Sequence, residues 1–196
     1  MLAIIRSVIY SVLAAIYEPL GFAIVVAVLF MFLSLFAQEH GWKEVMKRWW
    51  MSFKGEVAFR RTFFLTLYSS LILFRTLLNR SLWANPLSNV MGIWGLYNAN
   101  GELTTEAIEN LVLFIPFVIL LFVTFRKKII GDEVRFRIVL WKSISIVFLF
   151  STAIEFLQLF LRLGTFQLSD LFYNTLGGLI GGLLYWIVYK VRFRKK

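Results

Sequence analysis

Two carboxylates and two carboxamides, Glu155, Gln158, Asp170 and Asn174, sit inside IVFLFSTAIEFLQLFLRLGTFQLSDLFYNTLGGLIGGLLYW, a stretch otherwise fit to dissolve in oil. Carboxylates in separate environments can act as acid and base. Carboxamides beside them can hydrogen-bond a polar headgroup. A charged side chain at mid-membrane costs about 2.5–3.5 kcal/mol even on the lenient insertion scale, so it faces the protein interior and by default marks a functional site. Glu155 and Gln158 share a helical face, with Arg162 one turn beyond; Asp170 and Asn174 share another, which Gly177 and Gly181 continue. A third polar element is Asn110 in IENLVLFIPFVILL. Pro116 in that segment removes a backbone donor and leaves the Val112 carbonyl without its usual partner, so a kink is expected there.

Structural readings stand beside the functional one. Asp170 lies near the end of its helix and can cap it. Glu155 can form an ion pair with Arg162, Arg80 or Arg75. The glycines in GGLIGG form overlapping G-x-x-x-G pairs, a signal for close helix packing.

Several kinds of chemistry have no residues here to support them. The chain has no cysteine and one histidine, His40, so neither a thiolate nor a His-rich metal centre is expected. LGGLIGG lies within an apolar run and is not a phosphate-cradling loop. No cofactor is implied. Of the 196 residues, 60% are hydrophobic and 18% aromatic, and the mean hydropathy is +0.77. Such a composition suits a polytopic membrane protein, an all-α bundle of transmembrane helices. A net charge of +10 would suggest nucleic acid in a soluble protein, but all Lys and Arg except Arg6, Arg75, Arg80 and Arg162 fall in three clusters beside apolar runs. Cytoplasmic loops and anionic headgroups account for that pattern, and no nucleic-acid partner is expected.

With the three clusters inside, spans run from Pro19 to Ala37, Thr62 to about Leu78, the Asn110 segment to Phe125, Ile138 to Phe160 and Ser169 to Tyr189. The C-terminus is then cytoplasmic. Residues 1–17 read either as a short span in a tight hairpin, which is preferred, or as a re-entrant helix, giving six spans or five. A signal peptide is not expected, because the positive region is a single arginine and a second apolar run follows at once. GWKEVMKRWWMSFKGEVAFRR interleaves Trp and Met with Lys and Arg as an interfacial amphipathic helix does, although Gly55 argues against one regular helix. Outside, NRSLWANPLSNVMGIWGLYNANGEL is a long loop, and Thr104 or Thr105 can start the helix that follows. Two regions result: 1–61, an N-terminal hydrophobic hairpin and basic interfacial loop, and 62–196, the main transmembrane domain.

The chain resembles VanZ-like membrane proteins, a family named for a factor in glycopeptide-resistance gene clusters that lowers susceptibility to teicoplanin. The resemblance rests on EFLQLFLRLGTFQLSDLFYNTLGGLIG, with Glu155, Gln158, Asp170, Asn174, Gly177 and Gly178 at the family spacing. It also rests on IENLVLFIPFVILL, with Asn110, Phe114 and Pro116, and more weakly on RSLWANPL, with Arg80 and Pro86. Residues 62–196 are therefore expected to be a VanZ-like domain. The external segment is longer than in the family pattern, Val118 stands where many relatives have Gly, and Gln167 stands where an acid is common. The resemblance implies a Gram-positive plasma membrane and a link to teicoplanin resistance or envelope maintenance, without supplying a mechanism.

Three functional readings follow. In the first, an outer-leaflet pocket lined by Glu155, Gln158, Asp170, Asn174, Asn110 and Arg80 binds a membrane lipid, a lipid-linked cell-wall precursor or a lipoglycopeptide without catalysis. The second is an enzyme modifying a lipid-linked envelope precursor. In the third, a small proton-coupled transporter or flippase uses Glu155 as its protonatable group, with a homodimer through Gly177 and Gly181 supplying the symmetry that a single chain lacks.

Overall fold

The computed structural model describes residues 22, 25, 26, 29, 31–78, 82–97, 100–102 and 104–193, and its elements are helices. Residues 31–40 form α1. Next come α2 (Trp42–Gly55), α3 (Val57–Leu73, continued by a π-helical turn over Phe74–Leu78), α4 (Glu106–Ile129), α5 (Phe136–Leu161) and α6 (Leu168–Phe193).

Breaks between helices follow local chemistry. Gly41 takes a positive φ of 78° between α1 and α2. As Gly55 suggests, α2 stops there, and extended Glu56 redirects the chain into α3. Trp49 and Phe53 of α2 stack on each other and meet Phe63 of α3 edge-on, which pins the amphipathic helix against the first span. At the far end of α4, the N–H groups of Ile130 and Gly131 both return to the Arg126 carbonyl, and Gly131 adopts φ 91°. That left-handed stop turns the chain tightly into α5.

Four helices among the described residues are long and apolar enough to cross a membrane: Val57–Leu77, Glu106–Ile129, Phe136–Leu161 and Leu168–Arg192. They match the last four expected spans. The expected span over residues 1–17 lies outside the described residues, as does much of the one over 19–37. Large apolar side chains point outward, with Phe160 80% and Leu149 67% exposed. In water such a surface would be a liability; against lipid it is the expected one. The protein is an all-α polytopic membrane bundle.

α6 is the central helix, and its glycines explain why. A Cβ on Gly177 would overlap the Leu111 carbonyl oxygen, and one on Gly181 would lie 2.6 Å from the Ile115 carbonyl oxygen, so α4 crosses in backbone contact. On the adjacent side, Gly178 takes Val147 and Gly182 takes Ser143 of α5. Two offset stripes therefore let α6 approach two neighbours at once, because small residues admit close van der Waals contact where lipid gives no hydrophobic drive. The G-x-x-x-G face of Gly177 and Gly181 is thus filled by α4 of the same chain. This corrects the expected homodimer through those residues. Val118 is fully buried and faces Gly181, so the α6 glycine leaves room for the valine. Phe114, Phe122, Val139, Val147 and Ile154 complete the core between these helices.

Within α4 the one departure from helical dihedrals is at Phe125, with φ −117° and ψ 30°. Pro116 lies inside α4, and the carbonyl of the preceding Ile115 packs against Gly181 of α6.

Candidate functional site

Polar side chains gather where α5 turns into α6. Glu155, Gln158, Asp170, Asn174 and Asn110 are all more than nine-tenths buried. Arg80 lies outside the described residues. The turn that assembles the cluster begins with Arg162, the one described non-glycine residue with positive φ (56°). Its left-handed conformation ends α5, and the Leu163 N–H returns to the Gln158 carbonyl at 2.9 Å. Arg162 therefore does not continue the Glu155 face as the spacing suggested; its side chain is exposed. Gly164 then takes φ 118°, and α6 starts at Leu168.

Across this turn the Gln167 backbone N–H donates to Glu155 Oε2 at 2.7 Å. The Gln167 side chain donates through Nε2 to the Thr165 hydroxyl at 2.8 Å, and its Oε1 accepts from Ser169. Asp170 falls in the first turn of α6, where the helix dipole favours a negative charge. One turn beyond Glu155 along α5, Gln158 Nε2 donates to the Thr76 carbonyl at 2.6 Å. Thr76 belongs to the π-helical turn, whose carbonyls are out of α-helical register. Arg75, in the same turn, pairs with Glu109 in the first turn of α4.

Asn174 Nδ2 donates to Ser151 Oγ at 2.8 Å, joining α6 to α5. Among the described residues two buried carboxamide atoms remain without a hydrogen-bond partner: Asn174 Oδ1, an acceptor, and Asn110 Nδ2, a donor. Asn174 is one turn before Gly177, and Asn110 immediately precedes Leu111, whose carbonyl meets Gly177. Both carboxamides thus lie next to the tightest α4–α6 contact. An unmade buried hydrogen bond costs about 1–3 kcal/mol, so a matched donor and acceptor left open here are a feature to explain.

The long loop before α4 covers this end of the bundle. Trp83 N–H donates to the Arg162 carbonyl at 2.9 Å, Phe166 N–H to Pro86 at 2.9 Å and Leu168 N–H to Val90 at 2.8 Å. Gly95 N–H donates to the Tyr173 hydroxyl at 3.0 Å. Gly92, at φ 71°, sits so close to Gln167 and Ser169 that a Cβ would overlap the Ser169 hydroxyl. Thr105 occupies the N-cap position of α4, but its hydroxyl donates to Glu109, while the Glu106 N–H reaches Thr104 Oγ1 at 3.4 Å.

The structure thus brings Glu155, Gln158, Asp170, Asn174 and Asn110 to one end of the bundle, and turns Arg162 away. It adds Thr76, Ser151, Thr165, Gln167 and Ser169, all buried. Ser151 carried a signal, being one turn before Glu155 on the Glu155–Gln158 side of α5. Thr76 carried none, since it acts through its carbonyl, and the contact that Gln167 makes to Glu155 is through its N–H, which its residue type does not announce. A cavity of about 870 Å³ opens at the opposite, basic end of the bundle, and none of the expected site residues lines it.

Comparison with known proteins bears on the same segments. Over 116 residues the sequence is 29% identical to Protein VanZ of Enterococcus faecium, a match covering 55% of this chain and 66% of that protein. No solved structure matches. The VanZ/LLP1 family model matches residues 22–189, which takes in the loop, all four candidate spans almost entirely and each expected site residue. The chain belongs to the VanZ/LLP1 family.

Proposed function

We propose that the polar cluster at the α5–α6 turn binds the polar portion of an envelope amphiphile in the outer leaflet, without chemical turnover. The basic clusters support an orientation with the Asp170 end outside a bacterial plasma membrane and the C-terminus in the cytoplasm. One observation carries the reading. Asn110 Nδ2 and Asn174 Oδ1 are a buried donor and a buried acceptor without partners among the described residues, beside the Leu111–Gly177 contact. A hydroxyl or amide of a headgroup can accept from one and donate to the other, recovering two hydrogen bonds that the fold leaves unmade. Tethering of the Glu155 carboxylate to the Gln167 N–H supports a positioning role within this site.

The membership in the VanZ/LLP1 family supports a role in the response to lipoglycopeptides. Teicoplanin differs from vancomycin chiefly in carrying an acyl tail, so a protein that binds amphiphiles in the outer leaflet can distinguish the two. The test is the susceptibility of a sensitive Gram-positive host carrying wild type, Glu155→Gln, Asn174→Leu or empty vector, with membrane expression matched. Protection by wild type against teicoplanin alone, lost in Asn174→Leu, is expected. Equal susceptibility of all four strains would overturn the drug-protection role.

A further inference from the structure

The cavity at the basic end has the composition of a binding site for a different ligand. Arg61 of α3, Arg126, Lys127 and Lys128 of α4 and Arg192 of α6 line its approximately 870 Å³, together with Thr124, Tyr185 and Tyr189. No Asp or Glu is among the described lining residues, and none of the five cations forms an ion pair among the described residues. Like charges held together without a counter-charge repel, so a basic cluster drawn from three helices has a standing affinity for anions. Ile119, Val123, Leu184 and Val188 add apolar lining to the same cavity.

Specific contacts hold this arrangement. Arg126 donates through Nη1 to the Tyr189 hydroxyl at 3.2 Å, and its guanidinium lies over the Tyr189 ring, 5.7 Å from the centroid. Thr124 bridges to α3 by donating to the Arg61 carbonyl at 3.3 Å, while Arg61 Nη1 donates to the Val123 carbonyl at 3.4 Å. The break in helical dihedrals at Phe125 comes immediately before the Arg126–Lys128 run and lies in the cavity wall. The cavity therefore combines cationic donors, two of them held by hydrogen bonds, with apolar lining, and lies at the end of the spans.

We infer that this cavity binds a lipid with a phosphomonoester head, the phosphate held by Arg126, Lys127 and their basic neighbours and the acyl or prenyl chain lying against Ile119, Val123, Leu184 and Val188. Five cations favour a dianionic phosphomonoester over the single charge of a phosphodiester headgroup, and arginine offers the planar fork that suits phosphate oxygens. The apolar lining favours a lipid over free phosphate. This site is independent of the cluster at the α5–α6 turn.

The experiment measures binding of phosphatidic acid to the full-length protein in zwitterionic micelles, with phosphatidylglycerol, phosphatidylcholine and inorganic phosphate as comparison ligands. Phosphatidic acid is expected to bind more tightly than phosphatidylglycerol, and phosphatidylcholine weakest. Lys127→Gln with Lys128→Gln, both at exposed side chains that leave the bundle intact, is expected to weaken phosphatidic acid binding roughly tenfold or more. Arg126→Lys retains the charge and is expected to retain more affinity than Arg126→Gln. Lys43→Gln with Lys47→Gln removes the same charge from α2, outside the cavity, and is expected to leave binding unchanged. An equal loss in the α2 pair would reduce the effect to diffuse electrostatics and overturn the site. Equal binding of phosphatidylcholine, or displacement of the lipid by equimolar inorganic phosphate, would overturn it as well.

Discussion

The Gln167 backbone N–H donates to the Glu155 carboxylate at 2.7 Å. Their bond ties the last turns of α5 to the residue before α6, so the carboxylate that stands out in the sequence is built into the turn that positions Asp170. Glu155 is both a polar group in an apolar helix and a structural tie.

From this bond, Glu155→Ala is expected to lower stability by about 1–3 kcal/mol, the cost of leaving the Gln167 N–H unpaired in a buried place. Glu155→Gln keeps an acceptor oxygen and is expected to retain most of that stability. Thermal unfolding of the two variants in the same detergent separates them. Equal loss in both would mean that the charge, rather than the acceptor, matters at this position.

A methyl group on α6 should be felt at once. Gly177→Ala puts a Cβ onto the Leu111 carbonyl oxygen, and backbone there cannot swing aside as a flexible side chain would. A destabilisation of about 1–3 kcal/mol or more is expected, seen as a lower unfolding temperature and lower membrane yield. The effect acts within one chain and so should not depend on protein concentration. A melting point that falls on dilution of wild type, but not of the variant, would instead put a second copy at this face.

Gly92→Ala tests the loop. It meets two penalties together, a positive φ that disfavours a side chain and an overlap with the Ser169 hydroxyl. Faster protease cleavage between residues 82 and 102 is expected, with little change in the helical signal of the bundle. An unaltered cleavage rate would show that the loop accommodates the methyl group without leaving α6.

Arg162 gives the opposite kind of prediction. Its left-handed conformation suits glycine, so Arg162→Gly is expected to hold or raise stability by up to about 1 kcal/mol, while Arg162→Val lowers it by a similar amount. Thermal unfolding again reads the difference. A large loss in Arg162→Gly would give the guanidinium a structural role that its exposed position does not suggest.

How far the sequence reached can be seen at particular residues. Apolar runs flanked by basic clusters determined the four described spans, because a lipid solvent requires nearly uninterrupted hydrophobicity over a whole helix. They did not determine the ends, since α3 starts at Val57 rather than Thr62 and α4 runs to Ile129 rather than Phe125. Gly55 marked the α2–α3 break, and the types and spacing of Glu155, Gln158, Asp170, Asn174 and Asn110 identified five members of the polar cluster. Each of these is a property of side chains in local order.

What the sequence left open depended on backbone placement and on partners distant in the chain. The Gln167 N–H, the Thr76 carbonyl and the loop contacts of Trp83, Pro86 and Val90 are made by groups that every residue type carries, so no residue type announces them. Helical spacing carried Arg162 along the Glu155 face, whereas the left-handed turn takes it away. G-x-x-x-G spacing told that a backbone would come close to Gly177 and Gly181, but not whose. Only tertiary packing decided that α4 of the same chain fills that groove, because a packing motif specifies the shape of a contact and not which helix makes it.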